Sequence, residues 1–274
     1  MRIGCVAASS RFSREIAERV TAHVAATRPE VELVFHPDGF LEHGHFAGED
    51  AVRASAVLSL ANDPAINAVW FARGGYGSAR IAEAVMAGVS EGAKAKRWLG
   101  YSDAGAVLAG LYRMGCPNLA HGPMAADILR PGGEAAVDRA LDWLTTGAAS
   151  SLEPHLDGRP TAAFNIAVLS SILGTALEPD LSGHVLMLEE VSEPLYRVDR
   201  MMFHILGQAS MRRVGGVRLG RIGDIQPNDP DFGLTGEEIV RHWCERAGVA
   251  FLGVADIGHD AGNKVAPFGP APAA

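Results

Sequence analysis

The chain has 274 residues with a formal net charge of -8 at pH 7, and 48% of its residues are hydrophobic. This is enough apolar material for a buried core in one large domain or two modest ones, and no low-complexity tract indicates disorder. The acidic balance argues against nucleic acid and anionic membrane as partners. No run approaches the roughly 18 apolar residues needed to cross a bilayer, and the three scattered cysteines form no disulfide or zinc motif, so we expect a cytoplasmic protein.

The first half of the chain alternates strand-like and helix-like patterns. Strands are predicted at Arg2–Ala7, Val31–Phe35 and Ala68–Ala72, and helices at Arg14–Thr27 and Asp50–Ala61. Strands that alternate with helices in this way imply a parallel sheet covered by helices on both faces.

A second α/β block follows a stretch of small residues, glycines and prolines after Trp143. Its predicted elements are strands at Val185–Leu188, Val217–Ile225 and Ala250–Val254, a helix at Leu195–Leu206, and a helix from a capping box at Thr235 to about Ala247. We therefore predict an N-terminal domain over residues 1–144, a linker over 145–162 and a C-terminal domain over 163–274.

The segment Gly100-Tyr101-Ser102-Asp103 follows an apolar run at Arg97–Leu99 and precedes a helix pattern that begins at Ala104. A serine on such a turn has an exposed hydroxyl, and the start of the helix behind it favours negative charge. Ser102 is therefore a candidate nucleophile. A serine that only caps the helix is the alternative, because the spacing Gly-x-Ser-x-x-Gly differs from the Gly-x-Ser-x-Gly of ordinary esterases.

A nucleophilic serine needs a base that takes its proton and a carboxylate that orients the base. Loops that directly follow predicted strands offer both, with Glu189-Glu190 in one loop and His259 in another, and ligands of open α/β sheets bind at such strand ends. His121, in another turn, is an equal candidate for the base on the residues alone. His43 and His45 have ligand chemistry, but without an acidic or cysteine cluster beside them we expect no metal site.

The glycine-rich segment Arg73-Gly74-Gly75-Tyr76-Gly77 follows a predicted strand. It lacks the Gly-Lys-Ser/Thr of a phosphate-binding loop, so nucleotide binding is not favoured. The backbone N–H groups of Gly75 and Asp103 are instead candidates for an oxyanion hole, and a plain tight turn is the alternative.

Several motifs in collinear order resemble those of the LD-carboxypeptidase family of serine peptidases. This family includes the muramoyltetrapeptide carboxypeptidases of murein recycling and the immunity peptidases that cleave microcin C. The resemblance covers the chain from about Gly48 to Gly269. The segments that carry it are Arg73–Gly77, Gly100–Asp103, His121–Met124, Asn165, Leu173–Thr175, Leu188–Glu190, Tyr196–Met201, Gly258-His259 and Pro267–Gly269.

The resemblance implies a catalytic triad with Ser102 as nucleophile, His259 as general base and Glu189 as the orienting carboxylate. Glu190 and Glu193 are neighbouring alternatives for the carboxylate. It also implies a flavodoxin-like, or glutamine-amidotransferase-like, N-terminal domain and a smaller C-terminal α/β domain. The implied site lies between these domains, in a homodimer, and requires no metal or cofactor.

The implied activity is that of a serine carboxypeptidase that hydrolyses an L,D-amide bond and releases C-terminal D-alanine from murein tetrapeptides in peptidoglycan recycling. Arg73 and Tyr76 are the predicted substrate-binding residues, with Arg73 as the candidate cation for the terminal carboxylate. One alternative is an immunity-type peptidase that cleaves a peptidyl or aminoacyl nucleotide. Another is a non-catalytic ligand-binding protein on the same scaffold. A glutamine amidotransferase is not favoured, since its nucleophile at this turn would be cysteine.

Overall fold

The computed structural model describes residues 1–270, which form two sheets. The strands of the first sheet are β1 (Arg2–Val6), β2 (Glu32–Phe35), β3 (Ala68–Phe71), β4 (Arg97–Gly100), β5 (Leu119–His121) and β10 (Ala266–Pro267). Their order in the sheet is β10-β5-β4-β3-β1-β2. Strands β1 to β5 are parallel to one another, whereas β10 pairs antiparallel with β5.

Helices cover both faces of this sheet. They are α1 (Arg14–Thr27), α2 (Asp50–Asn62), α3 (Ser78–Gly88), α4 (Glu91–Lys94), α5 (Gly105–Arg113) and α6 (Gly133–Thr146). Successive side chains of a strand point to opposite faces. In β3, Val69 and Phe71 share a core with α2, α3 and α5, whereas Ala68 and Trp70 share a core with α1 and α6. The predicted sheet with helices on both faces is confirmed.

The second sheet is parallel throughout. Its strands are β6 (Thr161–Asn165), β7 (Val185–Val191), β8 (Gly216–Gly223) and β9 (Phe251–Val254), in the order β6-β7-β8-β9. Its helices are α7 (Ile166–Ile172), α8 (Leu195–Gly207) and α9 (Gly236–Ala247). The predicted capping box between Thr235 and Glu238 starts α9, and Gly248 ends it in a left-handed conformation. No helix within residues 1–270 is long and apolar enough to cross a membrane.

Strand β7 is longer than its apolar pattern predicted, and this changes the setting of two candidate residues. The sequence placed Glu189 and Glu190 in a loop after the strand, and that prediction is wrong, because both lie inside β7 and are buried. The pairing of β7 with β8 shifts register between Leu188 and Glu190. Such irregularities re-aim side chains, often beside active sites. Hydrophobic periodicity cannot predict a strand that continues through buried carboxylates.

The chain between the two sheets packs against the protein. Helix α6 continues to Thr146 and β6 begins at Thr161, so α6 and β6 take only two residues from each end of the predicted linker. Within it, the buried carboxylate of Glu153 accepts hydrogen bonds of 2.7 and 2.8 Å from the two Nη atoms of Arg218 in β8. The C-terminal strand β10 also returns to the first sheet. The division at residues 145–162 therefore remains a prediction.

Candidate active site

The turn that carries Ser102 joins β4 to α5. Ser102 has φ of 56°, a left-handed conformation that is uncommon outside glycine and frequent at functional sites. Its Oγ lies against Gly74, where an added Cβ would be only 2.9 Å from it. Helix α5 has no side-chain cap, so Ser102 does not serve as the helix-capping serine that was the structural alternative.

Asp103 fastens this turn to two other elements. Its buried carboxylate accepts a hydrogen bond from Ser9 Oγ, in the loop after β1, and one of 2.7 Å from the backbone N–H of Ser78 at the start of α3. Its carbonyl oxygen accepts a further bond from the Ser78 hydroxyl. Negative charge at a helix N-terminus is stabilising. Asp103 therefore holds the turn in place through its side chain, while its N–H belongs to the predicted oxyanion hole.

Glu189 and His259 form a hydrogen-bonded pair. Oε2 of Glu189 lies 2.5 Å from Nδ1 of His259, and the Glu189 side chain has no solvent exposure. Since a carboxylate accepts, Nδ1 carries the proton and Nε2 is left to take one from another group. Burial lowers the pKa of His259, but the attraction of Glu189 and the hydrogen bond to it prevail, and the pKa is raised overall.

Ser102 and His259 line the same cavity, of about 380 Å³. The His259 ring also lies 4.7 Å, centroid to centroid, from the ring of Tyr101, the residue that precedes the serine. Among the described residues, no hydrogen bond joins Ser102 Oγ to His259. Catalytic hydrogen bonds often tighten only in the complex with substrate. The three residues of the predicted triad are therefore brought to one place, with the carboxylate–imidazole contact already made.

The loop that carries His259 is braced by β8. The backbone N–H of Arg221 donates to the carbonyl of Ile257 at 2.9 Å, and its guanidinium bonds Asp256 at 2.6 Å and Asp260 at 2.9 Å. Gly220, the preceding residue, lies close to Ile257 and Glu189. A Cβ added at Gly220 would lie 2.6 Å from Ile257 Cγ1. A glycine here thus lets the histidine loop approach β7. Neither Gly220 nor Arg221 belongs to a sequence motif, and the two acidic residues near His259, Asp256 and Asp260, are the one sequence signal for an arginine partner.

The alternative carboxylates have other partners. Glu190 accepts hydrogen bonds from Asn165 Nδ2 at 2.6 Å and from the Ala167 N–H at 2.9 Å, so it caps the first turn of α7. Burial raises the pKa of Glu190. Glu193 pairs with Arg197 at 3.1 Å. Neither carboxylate is hydrogen-bonded to His259 in the described part of the chain.

Neither alternative histidine is hydrogen-bonded to Ser102 in the described residues, although the His121 ring lies 5.5 Å, centroid to centroid, from the ring of Tyr101. His121 is buried in β5, does not line the cavity, and has no hydrogen-bond partner for Nε2 in residues 1–270. Burial lowers its pKa to about 4, so it is neutral at physiological pH. Nε2 of His45 lies 3.3 Å from Ser10 Oγ. No group of three His, Cys, Asp or Glu side chains in the described residues is arranged to hold a metal ion.

The other predicted site residues differ in their relation to the cavity. Gly75 lines it, with φ of 120°, and neither its N–H nor that of Asp103 donates a hydrogen bond within residues 1–270. Arg73 also lines it, while its Nη1 donates to the Arg11 carbonyl at 3.2 Å. Tyr76 does not line it, being exposed and 6.1 Å, ring to ring, from Phe46. Arg130 also lines the cavity and was not predicted, because it lies 28 residues after the serine and belongs to no motif.

The two-sheet fold and this site define an α/β protein with the parts of a serine hydrolase. Comparison with protein families identifies the kind of hydrolase. Residues 3–122 match the LD-carboxypeptidase N-terminal domain, and residues 160–271 match the LD-carboxypeptidase C-terminal domain. The chain belongs to the LD-carboxypeptidase family.

Individual relatives agree with this assignment. The murein tetrapeptide carboxypeptidase of Pseudomonas aeruginosa is 25% identical over 98% of this chain and 91% of its own. Among solved structures, the muramoyltetrapeptide carboxypeptidase of Oxalobacter formigenes superposes with a TM-score of 0.81 at 20% identity, covering 98% of this chain and 93% of that one. The microcin C7 self immunity protein reaches 0.78 at 18% identity, with 98% and 91% covered. These two structural matches share the fold and do not by themselves separate the substrates.

Proposed function

We propose that this protein is a serine carboxypeptidase that hydrolyses an L,D-amide bond and releases C-terminal D-alanine from murein tetrapeptides, as in peptidoglycan recycling. The observation that carries the proposal is that Ser102 and His259 line one cavity, with Glu189 hydrogen-bonded to His259, in a chain of the LD-carboxypeptidase family. The likeness to the murein tetrapeptide carboxypeptidase over nearly the whole chain supports the choice of substrate.

The geometry suits acylation followed by hydrolysis. Ser102 Oγ attacks the scissile carbonyl while Nε2 of His259 takes its proton, and Glu189 stabilises the imidazolium that forms. The N–H groups of Gly75 and Asp103 hold the oxyanion, and the loss of one such donor typically costs on the order of 3 kcal/mol of transition-state stabilisation. His259 then protonates the leaving amine of the D-amino acid. Water activated by the same imidazole releases the acyl group.

An exopeptidase also recognises the end of its substrate, which here is a carboxylate. Arg73 brings a positive charge to the cavity from the segment beside the nucleophile. Tyr76 lies outside the cavity with more than half of its surface exposed. We assign both residues to substrate binding, with Tyr76 contacting the part of the peptide that extends beyond the cavity.

The test is mass analysis of products from a defined set of muropeptides, run beside an aminoacyl-sulfamoyl adenylate. Release of D-alanine from the tetrapeptide, absent with Ser102→Ala, is the expected result. Cleavage of the adenylate alone would replace the proposal by the immunity-type activity. Peptide binding with no turnover of any compound would favour a non-catalytic binding protein.

The resemblance to the family also suggests a homodimer in the cytoplasm, and we include both in the proposal. Light scattering coupled to size-exclusion chromatography tests the dimer, since the chain mass is 28.8 kDa and a dimer has twice that mass. A single species at the monomer mass across the micromolar range would exclude a stable dimer. Cell fractionation against a periplasmic and a cytoplasmic marker tests the location.

A further inference from the structure

Arg130 is a second cation in the cavity, and it has no role in the acylation and hydrolysis steps proposed for Ser102 and His259. It follows the short 3₁₀ turn Ala125–Leu129 and lines the cavity together with Ser102 and His259. Its positive charge acts against the raised pKa of His259, which lines the same cavity. A cation in this cavity disfavours protonation of the general base, and an anion bound to the cation would offset that effect.

The guanidinium of Arg130 is fixed at one end only. Its Nε donates a hydrogen bond of 2.7 Å to Oδ1 of the buried Asp127. Asp127 is itself held, because Oδ1 also accepts from the Tyr101 hydroxyl at 2.9 Å and Oδ2 accepts from the Met124 N–H at 2.8 Å. The chain of contacts runs from the residue next to the nucleophile to the arginine. Arg130 is thereby positioned relative to Ser102.

The hydrogen bond from Nε is the one that the Arg130 side chain makes within residues 1–270, and its two terminal nitrogens donate none. A guanidinium presents five N–H donors, and its paired terminal nitrogens match the two oxygens of a carboxylate. About 39% of the side chain is exposed, so these donors remain accessible from the cavity. These unused donors are suited to bind a planar anion such as a carboxylate.

Arg73, by comparison, is less prepared for that role. One of its terminal nitrogens already donates to the Arg11 carbonyl, and no described acidic side chain fixes its orientation. Arg73 also lines a second depression, together with Arg11 and Phe40. Arg73 is therefore divided between two depressions, and it is held less firmly in the cavity than Arg130 is.

We propose that Arg130 binds the C-terminal α-carboxylate of the leaving D-amino acid by a bidentate pair, and so makes the enzyme an exopeptidase. This inference rests on the proposed carboxypeptidase function. With a carboxylate seated on Arg130, the scissile carbonyl is only two bonds from the Cα that bears the anchored group, so the anchor sets its distance from Ser102. The bound carboxylate also offsets the charge that opposes protonation of His259. Arg73 is left to attract the rest of an anionic peptide.

The experiment pairs a protein change with a substrate change. Wild type and Arg130→Gln are each assayed with the murein tetrapeptide and with the same peptide carrying a C-terminal carboxamide, which keeps the scissile bond. We expect kcat/KM of the wild type to fall on the order of 100-fold on going from acid to amide. Arg130→Gln should lose a similar factor on the acid and should discriminate little between the two peptides, because the interaction is already absent.

Three further variants serve as controls. Arg130→Lys keeps the charge without the paired donors and should recover part of the preference for the acid. That result would show that the lost contact with Asp127 is not the cause of the lost preference in Arg130→Gln. Arg73→Gln should retain most of the acid-to-amide ratio. Arg113→Gln removes an exposed arginine of α5 that bonds only the Glu178 carbonyl, and should match the wild type.

The outcomes separate the two proposals. If the wild type releases D-alanine but Arg130→Gln keeps the full preference for the acid, Arg130 does not bind the carboxylate and the carboxypeptidase function stands. If Arg73→Gln abolishes the preference instead, the role belongs to Arg73. If wild type and Arg113→Gln release neither D-alanine from the acid nor D-alaninamide from the amide, the proposed function fails and the assignment of Arg130 fails with it.

Discussion

Glu189 and His259 are 70 residues apart in the chain, yet Oε2 of one lies 2.5 Å from Nδ1 of the other. They meet because β7, β8 and β9 are parallel neighbours, so the end of β7 and the loop after β9 lie at the same edge of the second sheet. The nucleophile comes from the first sheet. The second sheet thus supplies a finished carboxylate–imidazole pair to a serine that the first sheet presents.

The first prediction concerns the nucleophile. Ser102→Ala should reduce kcat for D-alanine release by a factor on the order of 10⁵, because no other hydroxyl at this turn can form the acyl-enzyme. The alanine keeps the same left-handed backbone, so the thermal unfolding midpoint should change little. Ser171→Ala, on the exposed side of α7, is the matched control and should keep full activity. Activity of Ser102→Ala within tenfold of the wild type would exclude this serine as the nucleophile.

The second prediction concerns the pH dependence of the base. Because the pKa of His259 is raised above its ordinary value near 6.5, kcat/KM should fall as pH drops through an apparent pKa higher than 6.5. Glu189→Gln removes the main attraction for the imidazolium, so the acidic limb of the profile should move to lower pH. The same change should lower kcat on the order of 10⁴-fold. A pH profile from 5 to 9 for both proteins measures the shift.

The neighbouring carboxylate provides the control for that experiment. Glu190→Gln removes a cap of α7 and leaves the contact between Glu189 and His259 in place. It should lower stability while moving the acidic limb much less than Glu189→Gln does. Equal shifts for the two variants would show that net negative charge, rather than the specific contact, sets the pKa of the base.

Much of the fold was predictable because its strands and helices follow simple periodicity. The helix Arg14–Thr27 has the predicted bounds, and the capping box at Thr235 marks the start of α9. The serine turn was predictable for the same reason, since an apolar strand, a serine and a small-residue helix follow one another directly. Local patterns of this kind need no knowledge of distant residues.

The rest depends on contacts that sequence patterns do not encode. Residues 266–267 add an antiparallel strand to the first sheet, although they follow the second sheet in the chain. Glu189 lies inside a strand because its charge is met by His259, a partner far away in sequence. Arg130 reaches the cavity from an irregular turn with no motif. On the residues alone His121 and His259 were equal candidates for the general base. The family resemblance favoured His259, and the structure buries His121 in β5, where it does not line the cavity.

The third prediction uses that burial. His121 is neutral in the folded protein with a pKa of about 4, whereas in the unfolded chain its pKa is near 6.5. Below pH 6.5 the unfolded state therefore binds a proton that the folded state refuses, and stability falls as pH drops from about 6.5 to about 4. The contribution over this range is about 3 kcal/mol.

His121→Gln removes this proton uptake and leaves a polar side chain of similar length. Urea unfolding at pH values from 4 to 7.5 should show a shallower loss of stability on acidification in this variant than in the wild type. His43→Gln, at an exposed position in a loop, should follow the wild-type curve. Parallel curves for wild type and His121→Gln would mean that the buried imidazole does not contribute to the acid sensitivity.

The fourth prediction compares two glycines of β8. At Gly220 an added Cβ would lie 2.6 Å from Ile257 Cγ1, 2.7 Å from the Ile257 carbonyl and 3.0 Å from Glu189 Cβ, so the histidine loop must move. Overpacking of this kind usually costs about 1–3 kcal/mol. Gly220→Ala should therefore reduce both stability and kcat, since it displaces His259 relative to Ser102. At Gly223, three residues further along the strand, nothing lies within 4 Å of an added Cβ.

Gly223→Ala is consequently the matched control and should leave kcat unchanged. A Gly220→Ala protein that unfolds at a lower temperature but turns over at the wild-type rate would show that the loop position tolerates the displacement. That result would separate the packing of Ile257 from the alignment of the base. Loss of activity in both variants would instead point to the strand as a whole, because the two positions share the β8 backbone and differ only in what their side chains would meet.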